Sequence, residues 1–86
     1  MARKKVGVII HLPEVPRRFN SEETDQLIER CKIHETSGVE IKKLELREHY
    51  AIQIGADNLD QLWTTLEAVA GEIPFFCPVE MQINAS

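Results

Sequence analysis

The spacing of apolar residues along this chain alternates between the period of a strand and the period of a helix. A period of two runs through residues 5–12, through much of 39–56 and through 79–84. Between these segments, apolar residues recur at spacings of three and four, which is typical of one buried face of a helix. The predicted element order is therefore strand, helix, strand, strand, helix, strand.

The first helix has start and stop signals. Asn20 or Ser21 is expected to cap its N-terminus, and Gly38 is expected to stop it after its last turn. One stripe of the helix is predicted to consist of Thr24, Leu27, Ile28, Cys31 and either His34 or Glu35. Pro13 and Pro16 exclude a helix from the segment before it, so residues 13–19 are predicted to form a loop.

The second helix is expected to begin at a cap on Asp57 or Asn58 and to end at Gly71. Its predicted buried stripe consists of Leu59, Leu62, Trp63, Leu66, Val69 and Ala70. Because Trp63 shares this stripe, we expect its ring to pack at least partly against the sheet.

The segment between the helices is too long for one strand and predicts a hairpin. Most of its apolar residues are even-numbered, namely Leu44, Leu46, Tyr50, Ile52 and Ile54. Placing Leu46 opposite Tyr50 on one face requires a connection with an odd number of residues, which predicts the three-residue turn 47–49. Val39 and Ile41 at the start of the hairpin are apolar but odd-numbered. Because they break this parity, we expect a bulge near Lys42 and Lys43.

This element order predicts an α+β fold, a ferredoxin-like βαββαβ sandwich in which two helices lie on one face of a four-stranded antiparallel sheet. We expect a single domain over residues 1–86, near the lower size at which one hydrophobic core stabilises a chain. The hydrophobic share of 43% is ordinary for a globular protein and too high for a disordered one.

Charge is divided unevenly along the chain. All ten lysines and arginines lie at or before Arg47, where eight acidic residues leave +2 (10 − 8), whereas residues 48–86 carry six acidic residues and a charge of −6. This polarity favours self-association or a basic partner and opposes nucleic acid. No apolar run reaches the ~20 residues that span a bilayer, and the start lacks a signal-peptide cleavage pattern. We therefore expect a cytoplasmic protein without a membrane partner.

The residue types that carry catalysis or bind metals are dispersed. Cys31 and Cys77 lie too far apart in sequence for a metal motif, and both are interpreted as buried thiols. The three histidines, His11, His34 and His49, fall on a strand, a helix and a turn. No catalytic set, metal site or cofactor is predicted.

One face of the predicted sheet is left without helices, and it would present small residues at its centre. Its floor would consist of Gly7, Ile9 and His11 beside Ala51, Gln53 and Gly55. RNA-recognition domains of the same topology need aromatic residues at these positions, so RNA is excluded as a ligand. We expect instead a docking surface for a second copy or a partner protein. The predicted interface residues are Ile9, Gln53 and Gln82, together with Val39 and Ile41 of the edge strand.

A second candidate site is the loop after the first strand. His11, Arg17 and Arg18 precede a helix N-terminus, where guanidinium groups and backbone N–H groups could bind a carboxylate or phosphate. The element order also resembles that of ACT-type domains, in which small regulatory ligands bind at this loop. The resemblance rests on element order alone and implies a sensor of small anions.

The main functional hypothesis is a small, acidic, non-catalytic interaction or regulatory module that forms a homodimer and binds a partner protein through its sheet. The long apolar edge strand that starts at Val39 supports self-association, because a bare edge invites pairing with another chain. The alternative is the ACT-like anion sensor at the loop after the first strand.

Overall fold

The structure is a computed structural model that describes residues 5–13, 19–73 and 77–84. In chain order, the elements are β1 (Lys5–His11), α1 (Ser21–Lys32), β2 (Val39–Glu45), β3 (Tyr50–Ala56), α2 (Leu59–Ala70) and β4 (Val79–Asn84). The four strands form one antiparallel sheet in the order β2-β3-β1-β4, so β1 and β3 are central and β2 and β4 are edges. The predicted ferredoxin-like α+β fold is confirmed.

Asparagine side chains cap the N-termini of both helices, within the predicted choices. The Asn20 side chain accepts a hydrogen bond from the backbone N–H of Glu23 at 2.8 Å, and the Glu23 side chain accepts one from the backbone N–H of Asn20. Asn58 caps α2 in the same way through the N–H of Gln61, at 2.9 Å. Each cap pairs a backbone donor that the helix leaves unsatisfied.

The first helix ends earlier than predicted, at Lys32 with Ile33 as its C-cap. Gly38 is therefore not the helix stop and lies in the turn before β2, where its φ of +85° is unfavourable for other residues. A Cβ atom at this position would lie only 2.6 Å from Oδ2 of Asp57. Gly38 thus allows the chain to enter β2 close to the start of α2.

The hairpin differs from the prediction in its turn and in its register. The Leu46 N–H donates to the His49 carbonyl at 2.9 Å, so the turn has two residues, 47 and 48, instead of three. The pairing of β2 with β3 runs without a break, and the bulge predicted near Lys42 and Lys43 is absent.

The consequence of this register is that odd-numbered residues of β2 face the helices. Lys43 takes the inward position that was expected for Leu44, and Leu44 lies opposite Ala51 on the other face. Lys43 is tolerated there because its Nζ contacts Asp25 and Ser21 of α1, at 2.7 and 3.0 Å.

The core lies between the sheet and the two helices. Its members with the lowest exposure include Val8, Cys31, Ile41, Ile52, Ile54, Leu62 and Val69. On α2 the buried stripe is centred on Leu62, Thr65 and Val69. The prediction for Trp63 is therefore wrong: its side chain is 60% exposed. No helix among the described residues is long and apolar enough to cross a membrane.

Candidate interaction surfaces

The face of the sheet without helices is built as predicted, but the apolar side chains at its centre have little exposed surface. Gly7 pairs with Gly55, and Ile9 pairs with Gln53. The glycine pair lies in a shallow groove of about 390 Å³ whose rim includes Glu40 and Lys42. Ile9 is only 8% exposed and Ala51 is fully buried. Little apolar surface is therefore left on this face for a partner.

The predicted interface residues are divided between the two faces. Ile9 and Gln53 belong to the open face, and Gln82 is the register partner of Gly7. Val39 and Ile41, which were expected at an interface as part of the β2 edge strand, have their side chains in the core, at 9% and 1% exposure. The continuous register turns them toward the helices, so their side chains cannot reach a partner across the open face.

The edge formed by β2 is occupied by the chain itself. The Ile41 N–H donates to Oε2 of Glu35 at 2.7 Å. Farther out, Nζ of Lys42 lies 3.4 Å from Oε1 of Glu40. A carboxylate on an edge N–H group and charged outward residues both hinder pairing with another strand. The edge that was expected to drive self-association is therefore protected.

Two histidines that are far apart in sequence meet at the end of the sheet. Nδ1 of His11 lies 2.8 Å from Nε2 of His49, and Nε2 of His11 lies 3.1 Å from Oε1 of Glu80. Pairing of β1 with β3 places His11 opposite Ala51, two residues from His49. This cluster was not predicted from the sequence, although the predicted pairing of the two central strands was a signal for it.

The cluster joins the three side chains into one hydrogen-bonded chain. Both ring nitrogens of His11 are engaged, and a proton between the two rings can belong to only one of them. Two imidazole nitrogens on one zinc ion would lie about 3.3 Å apart, farther than these two. Within the part of the chain that the structure describes, no group of three or more His, Cys, Asp or Glu side chains could hold a metal ion.

The predicted anion site is only partly described. Arg17 and Arg18 lie outside the described residues. His11, its third member, is bound to His49 and faces the carboxylate of Glu80. A carboxylate at this position would repel an anion that approached His11 from the same side.

The cysteines are free thiols, and Cys31 is fully buried in the core. The pKa of Cys31 is raised to about 11, chiefly by burial and also by the nearby Glu72, while Arg30 acts in the opposite direction. Burial also raises the pKa of Cys77. Since the thiolate is the reactive form, neither thiol has the lowered pKa of a redox or nucleophilic cysteine.

On the other side of the sheet, large apolar side chains of both α2 and β4 are exposed. We call it the α2–β4 surface and define it by Leu59, Trp63, Val79 and Met81. Their exposed fractions are 56%, 60%, 49% and 49%. Val79 and Met81 pair with Ile10 and Val8, which places them on the helix-covered side of the sheet.

This surface exists because the helices are displaced from β4. The first helix packs mainly on β2, and α2 packs mainly on β3 with further contacts to β1 and β2. Thr64 and Ala68 of α2 line a groove with Ile33 from the end of α1. Thr64 and Ala68 thus mark the side of α2 that faces α1. Trp63 is rotated about 100° from Thr64 around the helix, and it therefore projects from the opposite flank, which is nearer to β4. The apolar residues of β4 remain half exposed beside it.

The sequence pattern contained part of this result. The apolar stripe of α2 spans a wide arc that includes Leu59 and Trp63, whereas only the side centred on Leu62 is buried. Because the apolar arc of α2 is wider than one buried side of a helix, the sequence indicated that part of it would be exposed. Which end of the arc packs on the sheet depends on the position of α1, and this cannot be read from α2 alone.

Comparisons with known proteins give the fold but no function. No protein-family model matches the chain, and no curated protein matches it. A solved structure described as "De novo designed protein Foldit4" superimposes with a TM-score of 0.58 at 18% identity, over 96% of this chain and 97% of that one. At this identity the similarity shows the fold alone.

Proposed function

We propose that this chain is a small non-catalytic interaction module that binds a partner protein along the β4 edge of its sheet. The observation that carries the proposal is the α2–β4 surface, where two large side chains of a helix and two of an edge strand are about half exposed together. Scattered single apolar residues are normal on a surface, whereas several large ones grouped on one side of a fold favour a site of interaction.

Self-association is the second candidate, with another copy on the same surface. In both proposals an edge of the sheet is the binding element, as expected from the sequence, but the edge is β4 instead of β2. The carboxylate of Glu35 on the Ile41 N–H favours this change of edge. A cytoplasmic location stays a prediction.

The anion sensor is less well supported, because His11 is engaged with both His49 and Glu80. A regulatory role without such a ligand is compatible with the interaction module.

Site-specific crosslinking tests the proposal in the cells that make the protein. A photoreactive phenylalanine analogue would replace Trp63 or Met81, and the control positions would be Ile33 and Thr64. Ile33 is 74% exposed and apolar but lies away from β4. We expect one discrete adduct of the same mass from positions 63 and 81 and none from the controls.

The mass of the adduct separates the candidates. An adduct with twice the mass of the chain identifies the homodimer, and any other discrete mass identifies a partner. Equal labelling from all four positions, or no adduct from positions 63 and 81, would contradict the proposal. An adduct obtained only from the open face, for example from Leu44, would move the function to that face.

A further inference from the structure

We infer that the occupant of the α2–β4 surface is a basic amphipathic helix of another protein. This inference rests on the proposed function and specifies its partner. It is carried by two independent features, the space beside α2 and the charge around Trp63.

The space beside α2 fits a helix. Neighbouring strands lie about 4.8 Å apart, and packed helices lie 8–10 Å apart. Because α2 packs mainly on β3, and β4 is two strands away from β3, a further helix at that distance would lie over β4. Its apolar side would contact Val79 and Met81 below and Trp63 and Leu59 at the side. Binding of an amphipathic helix in an apolar groove is a common mode of peptide recognition.

The charged residues beside Trp63 on α2 are acidic. The described residues of α2 and β4 include no lysine or arginine, and of the acidic residues in 59–84, Glu72 contacts His34 and Glu80 contacts His11, which leaves Asp60 and Glu67. Asp60 and Glu67 lie three residues before and four residues after Trp63, so they are its neighbours on the helix surface, and both are exposed. Lysine or arginine on the polar side of the bound helix would lie next to these carboxylates.

The same charges argue against a second copy as the occupant. In a two-fold symmetric dimer the same patch contacts itself. Asp60 and Glu67 of one copy would then face the same acidic patch of the other, and like charges at an interface are unfavourable.

Two synthetic helical peptides test the inference on the intact protein. Both have about 18 residues, enough to exceed the ~20 Å length of a six-residue strand such as β4. Both carry leucine at the same helical spacing. The polar positions are all lysine in one peptide and all glutamate in the other, so that only the charge differs.

Trp63 reports binding directly, because it is the one tryptophan in the chain. We expect the lysine peptide to shift the Trp63 emission to shorter wavelength as the ring leaves water. The glutamate peptide should bind at least about tenfold more weakly, and added salt should reduce this difference by screening.

Variants place the peptide on this surface. The exchange Met81→Gln removes apolar contact on β4 while keeping the reporter, and should weaken binding of the lysine peptide about tenfold. The double exchange Asp60→Asn with Glu67→Gln should weaken it and leave the glutamate peptide unaffected or better bound. Ile33→Gln is the matched control, since it removes an exposed apolar residue elsewhere and should leave binding unchanged.

Each contrary result overturns a different statement. Equal affinity for the two peptides would overturn the basic partner, and no emission shift with either would overturn the helix. Emission that shifts with protein concentration alone would identify a second copy as the occupant. In all three cases, crosslinks from positions 63 and 81 would still support the proposed function, whereas their absence would remove it.

Discussion

Adjacent side chains on α2 have opposite surroundings, and this difference shows at the scale of the residue what stabilises the fold. Leu62 is fully buried against the sheet, whereas Trp63 is 60% exposed beside it. The larger apolar side chain is thus the one that contributes less to the core. Stability depends here on the direction of the side chain and not on its size.

We therefore expect the two positions to respond differently to alanine. Leu62→Ala should lower the free energy of unfolding by about 2–5 kcal/mol, because it leaves a cavity in a small core. Trp63→Ala should lower it by about 1 kcal/mol, which is common for a partly exposed side chain. Urea unfolding followed by circular dichroism measures both, since it does not need the tryptophan. A larger loss for Trp63→Ala than for Leu62→Ala would contradict the packing of α2.

At the scale of the element, the two edge strands of the sheet differ in the side chains that lie along them. The β2 edge carries charged side chains, and Glu35 accepts a hydrogen bond from its Ile41 N–H at 2.7 Å. Beside β4, by contrast, Val79 and Met81 are about half exposed. The sheet is therefore protected along one edge and offers apolar surface along the other.

Removing the carboxylate should open the protected edge. Glu35→Ala frees the Ile41 N–H, so we expect it to promote association through β2 that depends on protein concentration. Sedimentation velocity over a range of concentrations measures this. Glu29→Ala is the matched control, because it also removes one exposed negative charge but lies on α1, away from the β2 edge, and leaves that N–H paired. The same increase in both variants would mean that loss of charge, not exposure of the edge, is responsible.

Elements could be predicted where the interactions that determine them join residues close in sequence, and not where they join distant residues. The strand and helix periods and the caps at Asn20 and Asn58 depend on residues close in sequence, and they were predicted. The register of the hairpin was not, because the inward position of Lys43 depends on Asp25 and Ser21 of α1. A charged side chain in a sequence pattern indicates solvent unless its partner is known.

The candidate sites were harder to predict for the same reason. The open face was composed as expected, but Val39 and Ile41, which were expected at an interface as part of the β2 edge strand, lie in the core. The meeting of His11 with His49 depends on the pairing of strands that are distant in sequence. The α2–β4 surface depends on where both helices lie over the sheet, which no local pattern specifies.

At the scale of the whole molecule, the buried thiol in the core links stability to pH. The pKa of Cys31 is raised from 9.0 to about 11 in the folded protein, chiefly by burial. Above pH 9 the unfolded chain releases this proton while the folded protein retains it, so the folded state loses stability as pH rises from 9 to 11. The hydrogen bond of Lys43 to Asp25 also raises the pKa of Lys43, which adds a loss of the same sign at higher pH.

We expect the free energy of unfolding to fall by on the order of 2–3 kcal/mol over this pH range through Cys31. The variant Cys31→Ala should show a shallower dependence, because it retains the contribution of Lys43 but lacks the thiol. Urea unfolding at several pH values between 8 and 11 gives both slopes. Parallel slopes for the two proteins would show that the thiol does not ionise differently in the folded and unfolded states.

The sheet order also determines when the fold can be completed during synthesis. Strands β2 and β3 are joined by a two-residue turn and can pair soon after they leave the ribosome. Strand β1 is made first, yet one of its two neighbours is β4, and Lys5 pairs with Asn84. Until β4 emerges, one side of β1 is unpaired, and the nascent chain exposes backbone N–H and C=O groups that can pair with other strands. The last strand to be translated therefore ends a period in which this protein is vulnerable to misassembly and to capture by chaperones.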